Sequence, residues 1–295
     1  MEITKPIEFG KHKQTIENKF DSSQIINLNK ICIEIRKKCL ELAFKKNPRA
    51  THFGGAMSSI ETLVTLYSKV MRYKPDKPEW LNRDRFFLSK GHSVLGYYCI
   101  LNHAGFLSDD ELWSYGENGT ILPGHPVKNK VKGIEFTNGS LGMGLSVAIG
   151  NAIVNRKLKL NSKFYVLLGD GECNEGSVWE ASMSAAHYKL NNVVAIIDRN
   201  GLQQTGASNE IMESNSLGEK FSSFGWEVFE VNGHDISELL CAFNEDSGDK
   251  PKAIIANTIK GRGFSFSEQN NKFHHGVITR DLYNLGMREI KNSYV

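Results

Sequence analysis

The chain has no CxxC pair, and its five cysteines, Cys32, Cys39, Cys99, Cys173 and Cys241, form an odd, scattered set. That pattern argues against a structural zinc site and a disulfide framework, and makes a reducing cytoplasm the expected compartment. No apolar run approaches the length needed to span a bilayer, and Met1 to Phe20 is polar, without the apolar core of a signal peptide. An excess of one charge is also missing. The 36 Lys and Arg against 33 Asp and Glu leave +3, scattered except for Lys37-Lys38, which reads as a solvated helix face. No nucleic-acid or membrane partner is expected from such a balance. There is no composition break, long linker, repeat or low-complexity tract. A chain of 295 residues with 40% hydrophobic content is long enough for one large core.

The apolar pattern is that of an α/β protein. Leu28, Ile31, Ile35, Cys39 and Leu42 recur at helical spacing and predict a helix over 25–47. Thr51 to Ser58 reads as a Gly-rich loop, and Ser58-Ser59-Ile60-Glu61 opens a helix running to about Tyr73. Phe86 to Leu88 is a short strand candidate, followed by helices over 93–103 and 108–115. From Gly139 strands and helices alternate: helix 141–158, strand 164–168, helix 178–190, strand 193–197, then strands 226–231 and 253–258 with a helix between them. Such alternation implies a mostly parallel sheet covered by helices on both faces. Residues 1–24 are expected to form an N-terminal arm, 25–280 one domain, and 281–295 a tail available for contacts with another chain.

The densest chemistry lies in Gly169-Asp170-Gly171-Glu172-Cys173-Asn174-Glu175-Gly176 and, one helix and one strand later, Asp198-Arg199-Asn200. A carboxylate and a carboxamide then sit at the C-terminal ends of two parallel strands, where open α/β sheets bind ligands. Both are hard oxygen donors and few in number, which suits magnesium held partly by phosphates. Glycine lets backbone approach those phosphates closely. A lone Gly-Asp-Gly ends many strands as an ordinary turn; its pairing with Asn200 raises it to a magnesium–diphosphate site.

Four loops each set histidine beside glycine: Thr51-His52-Phe53-Gly54-Gly55, Ser89-Lys90-Gly91-His92, Pro123-Gly124-His125-Pro126 and His274-His275-Gly276. Imidazoles at loop tips suit proton exchange with hydroxyls and carbonyls near neutral pH. Any one of them alone would read as a hydrogen-bonded structural residue. His12, His103, His187 and His234 match no catalytic position, and the structural reading holds for them. Trp179 and Tyr188 likewise read as core.

The Gly-Asp-Gly to Asn200 pattern resembles the thiamine diphosphate-binding signature. With Thr137-Asn138-Gly139-Ser140-Leu141-Gly142-Met143-Gly144, the histidine loops are similar, in order from Thr51 to Thr279, to the N-terminal, pyrophosphate-binding half of transketolase. That resemblance implies thiamine diphosphate with Mg2+ (or Ca2+ or Mn2+) as cofactors. It implies Asp170, Asn200 and the Leu202 carbonyl as metal ligands. His92, Gly139, Leu141, Gly142, Gly169, Asp170, Gly171, Glu172, Asn200 and His275 would contact the cofactor. His52, His125 and His275 would face the sugar and move protons, and Glu175 would join a carboxylate relay between paired cofactor sites. The bland alternative for Glu175 is a carboxylate favoured by a helix dipole. Met143 stands where Gln is common in single-chain members, and Phe53-Gly54-Gly55 replaces the usual Pro-Gly; each could reshape the substrate channel.

Single-chain transketolases are much longer than 295 residues, and their second half supplies the pyrimidine-binding domain. The resemblance therefore implies the N-terminal subunit of a split transketolase, active with a separately encoded C-terminal subunit in an α2β2 heterotetramer and acting on sugars or sugar phosphates. Two alternatives stand beside it: the α subunit of a 2-oxo acid dehydrogenase, which needs fewer groups for sugar hydroxyls, and a catalytically silent cofactor-binding subunit.

Overall fold

A computed structural model describes residues 7–8, 21–128 and 133–293. Most of the expected arm, 1–24, lies outside the described residues. Six parallel strands, β1 (Ile7–Glu8), β2 (Arg85–Leu88), β3 (Phe164–Gly169), β4 (Val193–Arg199), β5 (Glu227–Asn232) and β6 (Lys252–Asn257), form one sheet in the order β1-β5-β6-β4-β3-β2.

Alternation along each strand sends side chains to opposite faces, and two cores follow from it. Phe164, Val166 and Leu168 join one cluster with Leu145, Ala148, Val178 and Trp226, under helices Met143–Lys157, Gly176–His187 and Leu217–Ser223. Tyr165 and Leu167 join the other with Leu40, Tyr98, Ile196 and Leu239, under helices Ser22–Lys45, Val94–His103 and Ile236–Asn244. The sheet is thus parallel and covered on both faces, as its strand pattern implies. All five cysteines are buried and free; Cys39 Sγ lies 3.5 Å from Cys99 Sγ.

Three segments differ from the sequence expectation. The Gly-rich loop after Thr51 contains one helical turn, Gly54–Met57. The helix expected to reach Tyr73 runs only over Ile60–Thr65 and widens into a π turn, Leu66–Val70, closed by Met71 N–H donating to Leu66 O at 2.9 Å. Asp84 draws the chain out of the helix there, accepting from the Arg72 backbone N–H at 2.8 Å and from its guanidinium at 2.9 Å. Residues 280–292 form a helix, capped by Thr279, whose side chain accepts from Leu282 N. It lies on helix Ser22–Lys45, with Tyr283 stacked on Phe44 at 4.4 Å and the Arg280 guanidinium 4.3 Å from the Phe44 ring. Leu282, Tyr283, Gly286, Met287 and Ile290 make its inward stripe, a helical spacing the sequence also carries.

Candidate functional site

Gly169 of β3 and Asp198 of β4 are paired in register, and Asp198 pairs with Ala256 of β6. The chain therefore leaves three adjacent strands at one level, and the loops after β2, β3, β4 and β6 surround a cavity of about 380 Å3.

Asp198 organises its floor. The side chain is 1% exposed and accepts from Ser58 Oγ at 2.7 Å, Asn200 Nδ2 at 2.9 Å, Thr258 Oγ1 at 2.5 Å and the Lys90 ammonium. Burial pushes its carboxyl up, but the charge of Lys90 and these donors outweigh that and hold it below the usual carboxylate range. Lys90 also donates to Gly55 O at 2.9 Å, fastening the first histidine loop to the sheet.

Asp170 stands at the end of β3. Oδ1 accepts from Gly171 N at 2.9 Å, and Oδ2 from Gly201 N at 2.8 Å and Ser208 Oγ at 3.1 Å. Burial, then the neighbouring Asp198 carboxylate, still raise its carboxyl above the usual range. Asn200 donates from its amide to Asp198, which fixes its orientation, and its oxygen accepts from Leu202 N at 3.1 Å. The Leu202 carbonyl accepts from Lys260 Nζ at 3.0 Å. Asp170, Asn200 and Leu202, expected as metal ligands from the resemblance, all line this cavity, as do Gly139, Leu141, Gly169 and Gly171.

Gly142 has φ +80°, and a Cβ there would come within 2.6 Å of Ser177 Oγ and 2.7 Å of Glu175 Cβ. Only glycine fits such a turn without strain. Gly142 and Glu172 lie behind the cavity wall. Glu172 accepts from Gly142 N at 2.8 Å, Gly169 N at 3.0 Å and the Ser89 hydroxyl, while burial pushes its carboxyl up. Both oxygens are turned inward, so Glu172 holds the wall rather than facing the cavity. Glu175 does line the cavity and makes no side-chain cap bond to the helix that starts at Gly176.

The histidines gather around one ring. His52 lies 5.7 Å from His92, 5.6 Å from His125, 5.5 Å from His274 and 4.4 Å from His275, between ring centroids. Burial, then His275 and His125, lower the pKa of His52 to about 4. His92 is lowered well below the usual value by burial and by Lys90. Both imidazoles are neutral at pH 7. His52 and His92 line the cavity; His125 lies beside Gly139, with Cδ2 4.0 Å from a Cβ built there, and His275 lies against His52.

Sequence reasoning missed three participants. His274 also lines the cavity, and its Nδ1 accepts from Lys260 Nζ at 3.0 Å; burial, then Lys260, lower its pKa to about 3. The His274-His275 doublet offered both rings, and spacing alone does not choose between them. Lys260 is 2% exposed, donates also to Gln203 O at 2.9 Å, and is brought down to about 8 by burial and by Lys90. Its signal was a lysine leading Gly261-Arg262-Gly263 three residues after the end of β6. Gln203 leaves its buried amide nitrogen without a partner, and its stem packs so closely on Gly171 that a Cβ there would meet Cγ at 2.8 Å.

These groups fit a dication and a diphosphate. Asp170 is a buried carboxylate short of positive charge, Gln203 an unused donor, and Lys260 a buried ammonium. Among the described residues no three His, Cys, Asp or Glu side chains could hold a metal by themselves. One carboxylate, one carboxamide and one carbonyl suit a cation that completes its shell with phosphate oxygens and water.

Comparison with known proteins agrees with this chemistry. Residues 31–293 match the family described as transketolase, thiamine diphosphate binding domain. The chain is 43% identical over 257 residues to an apulose-4-phosphate transketolase subunit of Phocaeicola vulgatus, covering 86% of this chain and 90% of that one. It is 36% identical over 272 residues to a 6-deoxy-6-sulfo-D-fructose transketolase subunit of a Clostridium species, covering 92% and 98%. Human transketolase is 38% identical over 81% of this chain, which spans 38% of that enzyme. The solved structure of Campylobacter jejuni transketolase superposes with a TM-score of 0.80 at 28% identity, covering 88% of this chain and 43% of that one. On the family match and on these identities, the chain belongs to the transketolase family, within its thiamine diphosphate-binding domain.

Proposed function

We propose that this chain is the cofactor-anchoring subunit of a two-component transketolase, moving a two-carbon ketol unit from a ketose or ketose phosphate to an aldose or aldose phosphate. The observation that carries the reading is that Asp170, Asn200, Leu202, His52, His92 and His274 line one cavity, with His125 and His275 packed around His52. Asp170, Asn200 and Leu202 would hold Mg2+, and His92 and Lys260 would face the diphosphate. Bound thiamine diphosphate supplies the carbanion chemistry that breaks the bond beside a ketose carbonyl. His52, neutral at pH 7, accepts a proton from a sugar hydroxyl and returns it; His125 and His275 orient the same oxygen atoms. Glu175, free of helix capping, would meet its counterpart between paired sites.

Two relatives that share most of their length with this chain are named as transketolase subunits, which supports a separately encoded partner; paired cofactor sites would then make the assembly α2β2. The partner would bring the pyrimidine-binding half. The decisive experiment purifies the chain with and without that partner and follows a panel of ketose donors in the presence of magnesium and thiamine diphosphate. Turnover is expected only from the pair. Full turnover by the chain alone, or carbon dioxide release from pyruvate without ketose consumption, would sink the proposal.

A further inference from the structure

Lys260 reaches the cavity from the turn 259–263, and that turn is gripped from behind. The Ile259 backbone N–H donates to His234 Nε2 at 2.8 Å, and the Arg262 carbonyl accepts from Arg36 Nε at 3.0 Å. These contacts bracket Lys260 on both sides. Glu61 joins the two holders, accepting from Arg36 Nη2 at 2.7 and 2.8 Å and lying 3.1 Å from His234 Nδ1. Because Nε2 accepts from Ile259, it carries no proton, so Nδ1 holds the hydrogen and donates to Glu61. The side chains of Arg36, Glu61 and His234 are 8–9% exposed, and none of the three lines the cavity.

Further contacts narrow the turn to one shape. Gly261 N–H donates to Gly54 O at 3.0 Å. Gly263 has φ +100°, and a Cβ there would meet Arg36 Cδ at 2.7 Å. At the far end Lys260 Nζ divides its hydrogens among Leu202 O, Gln203 O and His274 Nδ1. A long side chain carrying a charge loses rotamer freedom when it is so directed, and a fixed backbone on both sides removes the remaining slack.

We infer that Arg36, Glu61 and His234 are positioning residues that aim the Lys260 ammonium at the diphosphate end of the cofactor cavity. The inference rests on the cofactor-site reading above. A buried ion pair tying helix Ser22–Lys45 to helix Ile60–Thr65 would affect stability alone if it served the fold only. A positioning cluster acts through Lys260, and a double-mutant cycle separates the two roles.

The test titrates magnesium and inorganic diphosphate into the full chain by calorimetry, with melting temperature measured in parallel. Lys260→Met removes the ammonium; its hydrogens are already taken by the protein, so it is the loss of its charge beside the diphosphate that should lower affinity, about tenfold. His234→Asn keeps the short reach to Glu61 but loses Ile259, and should weaken binding about three- to tenfold. His234→Gln restores an acceptor for Ile259 and should return affinity to within about twofold of the wild type. In the Lys260→Met background, His234→Asn should change affinity less than about twofold.

An equal loss in both backgrounds, or no loss from His234→Asn, overturns the positioning role and leaves the cofactor reading intact. A wild-type chain that does not bind the probe, or Lys260→Met without effect, overturns the site reading and the inference together. Should His234→Asn fail to fold, Arg36→Lys decides: it keeps a positive charge opposite Glu61 but loses the Nε bond to Arg262. The same non-additivity with Lys260→Met is then expected, and additivity overturns the role.

Discussion

The backbone N–H of Gly142 donates to Oε1 of Glu172 at 2.8 Å, tying a left-handed turn to the end of β3. The same carboxylate accepts from Gly169 N, so one buried side chain sets the spacing between two backbone walls of the cavity. Glu172→Ala would leave both N–H groups and the Ser89 hydroxyl without their acceptor. Urea unfolding should show a loss of roughly 2–5 kcal/mol, and weaker diphosphate binding should accompany it. An unchanged unfolding midpoint would mean that the walls stand without Glu172.

Asp170 illustrates a site strained for its ligand. Burial and the Asp198 charge both act against its ionised form. Asp170→Asn removes that buried charge but turns an amide NH2 toward one of the donors its carboxylate accepts from, so at pH 7 the stability of the ligand-free chain should change by less than about 1 kcal/mol. The rise in melting temperature on adding magnesium with thiamine diphosphate should vanish in the same variant. A variant strongly destabilised without ligand, yet still stabilised by the pair, would contradict both expectations.

His52 gives a pH dependence with a definite sign. Its pKa falls from the ordinary 6.5 to about 4 on folding, so the unfolded chain takes up a proton first as pH drops. Stability from this residue is complete above about 6.5 and declines as pH falls toward 4. His52→Gln should flatten the dependence of unfolding free energy on pH across that window, without changing it between pH 7 and 8. His274 contributes a parallel slope that extends lower, to about 3. Equal slopes in the wild type and His52→Gln would show that the ring is protonated in the folded chain.

The helix over 280–292 rests on a close approach. A Cβ at Gly286 would come within 2.7 Å of Leu40 Cδ2 and 3.1 Å of the Phe264 ring. Gly286→Leu should therefore cost about 1–3 kcal/mol in denaturant unfolding, despite the better helix propensity of leucine. Stabilisation instead would mean that the helix lies loosely on the domain.

Much of the fold was legible because its signals are local. The apolar runs of β3 and β4 and the turns that end them need no tertiary information, and Asp170 and Asn200 fall where those runs stop. The end of the helix after Val70 was not legible, because Asp84, twelve residues beyond Arg72, captures it and draws the backbone away. The helix after Thr279 carried a readable stripe, but its weak apolar content and terminal place made it look like a tail. In the site, motifs located the histidine loops, yet which ring of the His274-His275 doublet would meet Lys260 depends on the turn after β6. Glu172 sat inside the motif that pointed to phosphate, while its side chain turned inward to bind backbone. Such choices are made by packing between distant segments, and they leave little trace in spacing.

The five buried thiols are distributed through the fold: Cys32 and Cys39 on one helix, Cys99 on its neighbour, Cys173 in the helical turn Gly171–Asn174, and Cys241 on the helix after β5. Burial pushes the Cys32, Cys39 and Cys173 thiols up and holds them in the unreactive protonated form. Each becomes available to a small alkylating reagent only when its own layer opens. The labelling rates of these native positions, resolved by mass spectrometry, would therefore read out the order in which the layers come apart, with no probe added to the chain.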